Sequence, residues 1–208
     1  MDQFDKNSPT LFSSLLNTGF NRGLLYFYKG DYARSIQLFT ETKEYVEKVL
    51  AYRPYPLYLG TYSEIINNMG YICLTVGDLA QAETSFRECI EMFTPYAEKN
   101  PFKHLDVVCV AQINLGTVLL MQGRYQEFLN LHNEYWDNVK QVANWLGSNF
   151  TVSYAIACDN KGYYELATGN TDAAMSAWNT IIELSPNYLD FNPTSLLHNA
   201  LVERGLIN

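Results

Sequence analysis

Residues 160–178 read NKGYYELATGNTDAAMSAW, and their spacing decides the fold. Asn160 and Gly162 sit two apart, and seven residues later comes Gly169-Asn170. A glycine followed by Asn or Asp is a stop-start signal: glycine closes one helix and the polar side chain caps the next. Five residues past Gly169 stands the small Ala174, and nine past it the large Trp178. The frame N-x-G-x6-G recurs upstream as Asn21, Gly23, Gly30, as Asn68, Gly70, Gly77 and as Asn114, Gly116, Gly123, with steps of 47, 46 and 46 between the second glycines. Asn fills only 19 of 208 positions, so four matches in one register point to duplication of a structural unit.

The surrounding residues describe that unit. Two residues after each second glycine come Tyr32, Leu79, Tyr125 and Thr171, and nine after it Phe39, Phe86, His132 and Trp178. Five after it come Ser35, Ala82, Phe128 and Ala174, small in three of four copies, where two helices can approach closely. Apolar residues recur at three and four, as in Leu79, Ala82, Phe86, Cys89, Ile90 and Phe93, which is helical periodicity. Each repeat is therefore predicted to be a helix, a tight turn and a second helix.

This order of first-helix Gly, Gly-Asp turn, Tyr or Leu, small residue and aromatic, with Pro186 after the last copy, resembles the tetratricopeptide repeat (TPR). The departures are Phe128 and His132 in the third copy, Arg22 and Lys161 where Leu is usual, and Glu165 in place of an aromatic. The resemblance implies an all-α, right-handed solenoid of four antiparallel helix pairs. Repeats are expected over residues 10–52, 57–98, 103–144 and 149–185, with a capping helix over 194–205, all within one domain spanning 1–208. Breaks at 53–56, 99–101, 145–148 and 185–193 bound helices of 15 to 20 residues, and Ser8-Pro9 caps the first. The period exceeds the usual length of about 34 residues, adding about six residues, or roughly 9 Å, to each helix and deepening the groove. In the capping segment, Leu196, Leu197, Ala200 and Leu201 share one stripe, with His198, Asn199 and Glu203 opposite.

Two residues along a helix rotate about 200°, so each Asn points away from the glycine that meets the second helix. In the TPR family that opposite surface lines the concave groove, and the resemblance implies a ladder of Asn21, Asn68, Asn114 and Asn160 along it. An Asn amide donates and accepts, the pair needed to read the backbone of an extended peptide; the same ladder can instead bond neighbouring first helices. Glu64, Asn67 and Tyr71, then Ile113 and Thr117, then Ile156, Asp159 and Tyr163 lie within four residues of these Asn and are read with the same face. The peptide-binding set is thus Asn21, Asn68, Asn114, Asn160, Glu64, Asn67, Tyr71, Thr117, Asp159 and Tyr163. The expected ligand is a protein or peptide segment with apolar residues and at least one Lys or Arg. A carboxylate clamp is disfavoured, because only Arg22 and Lys161 bring positive charge near this face. Most aromatics belong to the core by register; Tyr52, Tyr55, Tyr58 and Tyr62, around the Arg53–Pro56 break, are harder to bury and form a second candidate contact patch.

Composition narrows the function further. With 48 % hydrophobic and 17 % charged residues the chain is globular, and 14 Lys+Arg against 22 Asp+Glu give a charge of -8. That balance disfavours nucleic acid and anionic membranes. The start, MDQFDKNSPT, lacks the basic and apolar regions of a signal peptide. No stretch reads as a span: runs such as Tyr71–Val76 are cut by Gly77 and Asp78. Cys73, Cys89, Cys109 and Cys158 form no CxxC pair and read as structural thiols in a reducing cytoplasm. His104 is expected in a loop, His132 in repeat packing and His198 in the capping helix, and no HExxH, GxSxG or Walker glycine loop occurs. Acid pairs such as Glu41 with Glu44 and Glu88 with Glu91 read as solvated faces. No catalytic residue, metal or cofactor is expected. The leading functional reading is an adaptor or scaffold binding a partner's segment; a sensor similar to bacterial TPR receptors of peptide pheromones and a self-associating structural subunit are the alternatives.

Overall fold

The computed structural model describes residues 9–52 and 59–184, with Val202 and Gly205 beyond them. Among the described residues eight α-helices follow one another: α1 (Pro9–Tyr28), α2 (Tyr32–Tyr52), α3 (Leu59–Thr75), α4 (Leu79–Lys99), α5 (Pro101–Met121), α6 (Tyr125–Leu146), α7 (Thr151–Ala167) and α8 (Thr171–Leu184), with one 3-10 turn over Gly147–Phe150 between α6 and α7. The expected breaks at 53–56 and 185–193 and the expected helix at 194–205 fall outside them, apart from Val202 and Gly205.

The four repeated glycines make the four turns. Gly30, Gly77, Gly123 and Gly169 have φ of 76°, 83°, 75° and 87°, the left-handed region that side chains with a Cβ resist. At each, two backbone bonds close the preceding helix in the same way. Gly30 N–H donates to Phe27 O at 2.9 Å and Asp31 N–H to Tyr26 O at 3.0 Å; the matching outer bonds run from Asp78 to Cys73, from Arg124 to Leu119 and from Asn170 to Glu165. This double closure is the Schellman pattern. Asp31 Oδ1 then accepts the Arg34 N–H, and Asp78 Oδ1 the Gln81 N–H, each at 3.1 Å. The third turn carries Arg124 instead and has no side-chain cap. There the guanidinium grips Glu127 with bonds of 2.7 and 2.6 Å, placing an acid in the first turn of α6, where the helix dipole favours it. Asn170 directs its amide nitrogen back to Glu165 Oε2 at 2.9 Å.

The chain falls into two compact units, 1–85 and 86–208. In the first, α1 packs on α2 and both contact α3. Gly23 lets the helices meet: a Cβ there would lie 2.7 Å from the Phe39 ring, and Ser35 Oγ donates to Gly23 O at 2.7 Å. Leu16, Leu38, Phe39, Val46, Ile65 and Ile66 complete this core. Tyr62 is buried and its hydroxyl donates to Glu47 Oε1 at 2.8 Å, so it leaves the expected tyrosine patch for the core.

In the second unit α5 pairs with α6, α7 with α8, and α5 with α7. Thirteen of the 21 residues of α5 are buried, among them every residue from Leu115 to Met121. This corrects two expectations. His104 lies inside α5 and not in a loop. Also, α5 has the length and apolarity to cross a membrane, which the sequence reading missed; yet 72 % of that stretch is buried within the fold, as in a core helix. The residues departing from the repeat pattern pack closely. Phe128 is fully buried against Gly116, whose Cβ would stand 3.2 Å from its ring. His132 stacks on Trp136 (centroids 4.9 Å) and Trp136 on Tyr154 (5.6 Å). All four cysteines are free and buried. Burial, helped by Asp106 and Asp159 respectively, pushes the thiols of Cys109 and Cys158 up to about 12.

Candidate functional site

Each unit presents a face of first helices, and the side chains on it differ in how far the fold already uses them. In the first unit, Asn21, Leu25 and Tyr28 follow one another at helical spacing along α1, and Glu64, Asn68, Tyr71 and Thr75 along α3. Asn21 is exposed and its side-chain amide makes no hydrogen bond among the described residues. Asn68 is half-buried and its amide nitrogen donates to Glu64 O, one turn back, at 2.7 Å. Asn67 is half-buried beside it. Tyr71 stands edge-on to Phe27 at 6.0 Å, and Phe27 also meets Tyr28 (5.5 Å) and Tyr32 (5.8 Å). Desolvation, with the neighbouring Tyr32 hydroxyl, raises the Tyr71 pKa. Tyr28 is 80 % exposed and Leu25 51 %. Glu64 stands in water on one side, while partial desolvation raises its carboxyl pKa.

In the second unit the ladder divides. Asn114 is half-buried and its side-chain amide makes no hydrogen bond among the described residues. Asn160 is wholly buried. Its Nδ2 donates to Ile113 O at 3.0 Å, and its Oδ1 accepts the Thr117 hydroxyl at 3.1 Å. Thr117 is buried as well, so this amide and hydroxyl clamp α7 to α5. That is the role in which a ladder Asn bonds its neighbouring first helix. Asp159 is buried at 9 % exposure, and its Oδ1 accepts the Trp178 indole N–H at 2.8 Å. Tyr163 lies edge-on to Trp178 at 5.6 Å, its hydroxyl pushed up to about 12 by desolvation and then by Asp159. Trp178 itself is half-buried, with Gly162 against it.

Sequence reasoning overlooked two features. The aromatic shelf of Phe27 and Tyr28 could have been found from the run Leu24-Leu25-Tyr26-Phe27-Tyr28, which holds more apolar residues than one buried helix face can take. The Asp159–Trp178 bond spans 19 residues and had no sequence signal.

The titratable groups of the second unit are arranged for packing. His132 is 3 % exposed, with Nδ1 3.2 Å from the Tyr135 hydroxyl. Burial, reinforced by Lys161 and opposed by Glu165, lowers its pKa to about 4. Lys161 and Glu165 pair at 2.7 Å. Among the described residues, no group of three or more His, Cys, Asp or Glu side chains is placed to hold a metal ion.

Residues 63–93 match the family model described as tetratricopeptide repeat. The matched stretch runs from the first turns of α3 through the Gly77–Asp78 turn into α4. No curated protein sequence matches the chain. The chain therefore contains a TPR-type repeat and is an all-α helical-repeat protein. Such repeats generally mediate protein–protein interactions and are characteristically non-catalytic.

Proposed function

We propose that this chain is a non-catalytic adaptor, built from repeats of about 46 residues, that binds a peptide segment of a partner protein on its first-helix faces in the cytoplasm. One observation carries the reading. Asn21 and Asn114, on the sides of α1 and α5 turned away from the helix-packing glycines, keep amides that make no hydrogen bond among the described residues. A paired donor and acceptor held on a rigid helix suits the amide groups of an extended chain, and a pre-ordered face lowers the cost of binding. Within the first unit Asn68, Asn67 and Tyr71 extend the contact beside Asn21, and within the second Tyr163 extends it beside Asn114, whereas Thr117 and Asn160 hold the scaffold.

The test is paired capture from native lysate with the parent and Asn21→Ala/Asn114→Ala chains, the bound partners being identified by mass spectrometry. A partner retained by the parent and lost by the variant supports the adaptor. Equal retention moves the interface to another surface, and a mass that grows with concentration and no captured partner favours a self-associating subunit.

A further inference from the structure

We propose that Glu64 is the specificity determinant of the first unit: it selects an extended peptide carrying Lys or Arg about three residues from an apolar side chain that rests on the Tyr71–Phe27–Tyr28 shelf. This deepens the adaptor reading and rests on it.

Three observations converge on the proposal. Glu64 and Tyr71 share one face of α3 two turns apart, about 10 Å at 1.5 Å per residue. An extended peptide covers that distance in about three residues at 3.3 Å each. The shelf is open at its Tyr28 end, where Tyr28 is 80 % exposed beside Leu25 at 51 %, and half-buried at Phe27 and Tyr71, both Tyr71 and Tyr28 packing on Phe27. Finally, no cation pairs with Glu64 among the described residues. The other acids at helical spacing are often paired, as Glu47 is with Lys43 and Glu165 with Lys161. An unneutralised carboxylate, already partly stripped of water by its neighbours, favours a basic ligand group on charge complementarity. Its desolvation makes a charge-assisted bond there stronger than on an open surface.

The experiment is selection of a random 12-residue peptide display library on the full chain. Fluorescence anisotropy of one enriched, labelled peptide then follows, against the parent, Glu64→Gln, Glu64→Lys and Tyr71→Ala, with circular dichroism verifying the fold of each. The expected enriched peptides carry Lys or Arg three residues from an aromatic, aliphatic or proline residue. Glu64→Gln and Tyr71→Ala each weaken binding tenfold or more, and selection on Glu64→Lys returns Asp or Glu at the former basic position. Enriched peptides without that basic residue, or bound equally by Glu64→Gln, overturn this inference and leave the adaptor reading standing. A library from which the parent retains nothing counts against both.

Discussion

Replacing Asn160 by Ala removes the clamp between α5 and α7. The side chain is wholly buried and makes two bonds, Nδ2 to Ile113 O at 3.0 Å and Oδ1 from Thr117 Oγ1 at 3.1 Å. A net bond is worth about 0.5–1.5 kcal/mol, and a buried group left without a partner costs about 1–3 kcal/mol. Ile113 O is partly relieved, because the Thr117 hydroxyl also approaches it at 3.4 Å. The sum is then about 2–4 kcal/mol, including the small void left by the amide. Asn114→Ala, which breaks no hydrogen bond among the described residues, should change stability by less than about 0.5 kcal/mol. Urea unfolding followed by Trp fluorescence measures both, since Trp136 and Trp178 lie in the same unit. Asn160→Ala within about 0.5 kcal/mol of the parent would refute the clamp.

Acid should weaken the fold through His132. Its folded pKa, about 4, lies below the unfolded value of about 6.5, so the unfolded chain binds the proton first. The stability due to the neutral ring is present above pH 6.5 and lost as pH falls toward 4, about 3 kcal/mol in all. The urea midpoint of His132→Phe should accordingly fall less steeply over that window than the parent's; parallel profiles would contradict this. Trp178→Phe keeps a ring against Gly162 but takes the N–H from the buried Asp159 carboxylate, and should cost about 1.5–3 kcal/mol in the same unfolding assay. Thiol titration with a coloured disulfide reagent should find all four cysteines unreactive in the native chain and reactive in denaturant; a fast native thiol would contradict their burial.

The turns were legible in the sequence because their chemistry is local: a left-handed glycine followed by a capping Asp declares itself without tertiary context. Ser35 and Ala82 were likewise readable as close-approach residues, since only small side chains fit where helices touch. The fate of each ladder Asn was not legible. Asn114 and Asn160 occupy the same place in the repeat, and their difference comes from Thr117, one turn along α5, which reaches Asn160 across 43 residues. The bounds of α5 lie where the expected break at 99–101 and the Gly123 turn put them, but its membrane-length apolarity was not legible from short apolar runs, because the helix is buried far beyond a single amphipathic stripe. His132 read as a departure at a repeat-packing position; it stacks on Trp136 one turn along α6, and Trp136 carries the stack across to Tyr154 of α7, a contact between helices with no sequence signal. Glu64 was named as a site residue from its register alone, and the aromatic shelf beside it emerged only when α1 packed against α3.

The most direct test of the account is solvent exchange of the Asn side-chain amide protons, resolved by ¹⁵N NMR on the assigned 208-residue chain. Asn21, exposed and without a side-chain partner among the described residues, should exchange as fast as a solvent-exposed amide, and half-buried Asn114 faster than Asn160, while the Asn160 NH₂ group should be strongly protected with no ligand added. An Asn160 amide exchanging as fast as that of Asn21 would contradict the division of the ladder into scaffold and binding positions.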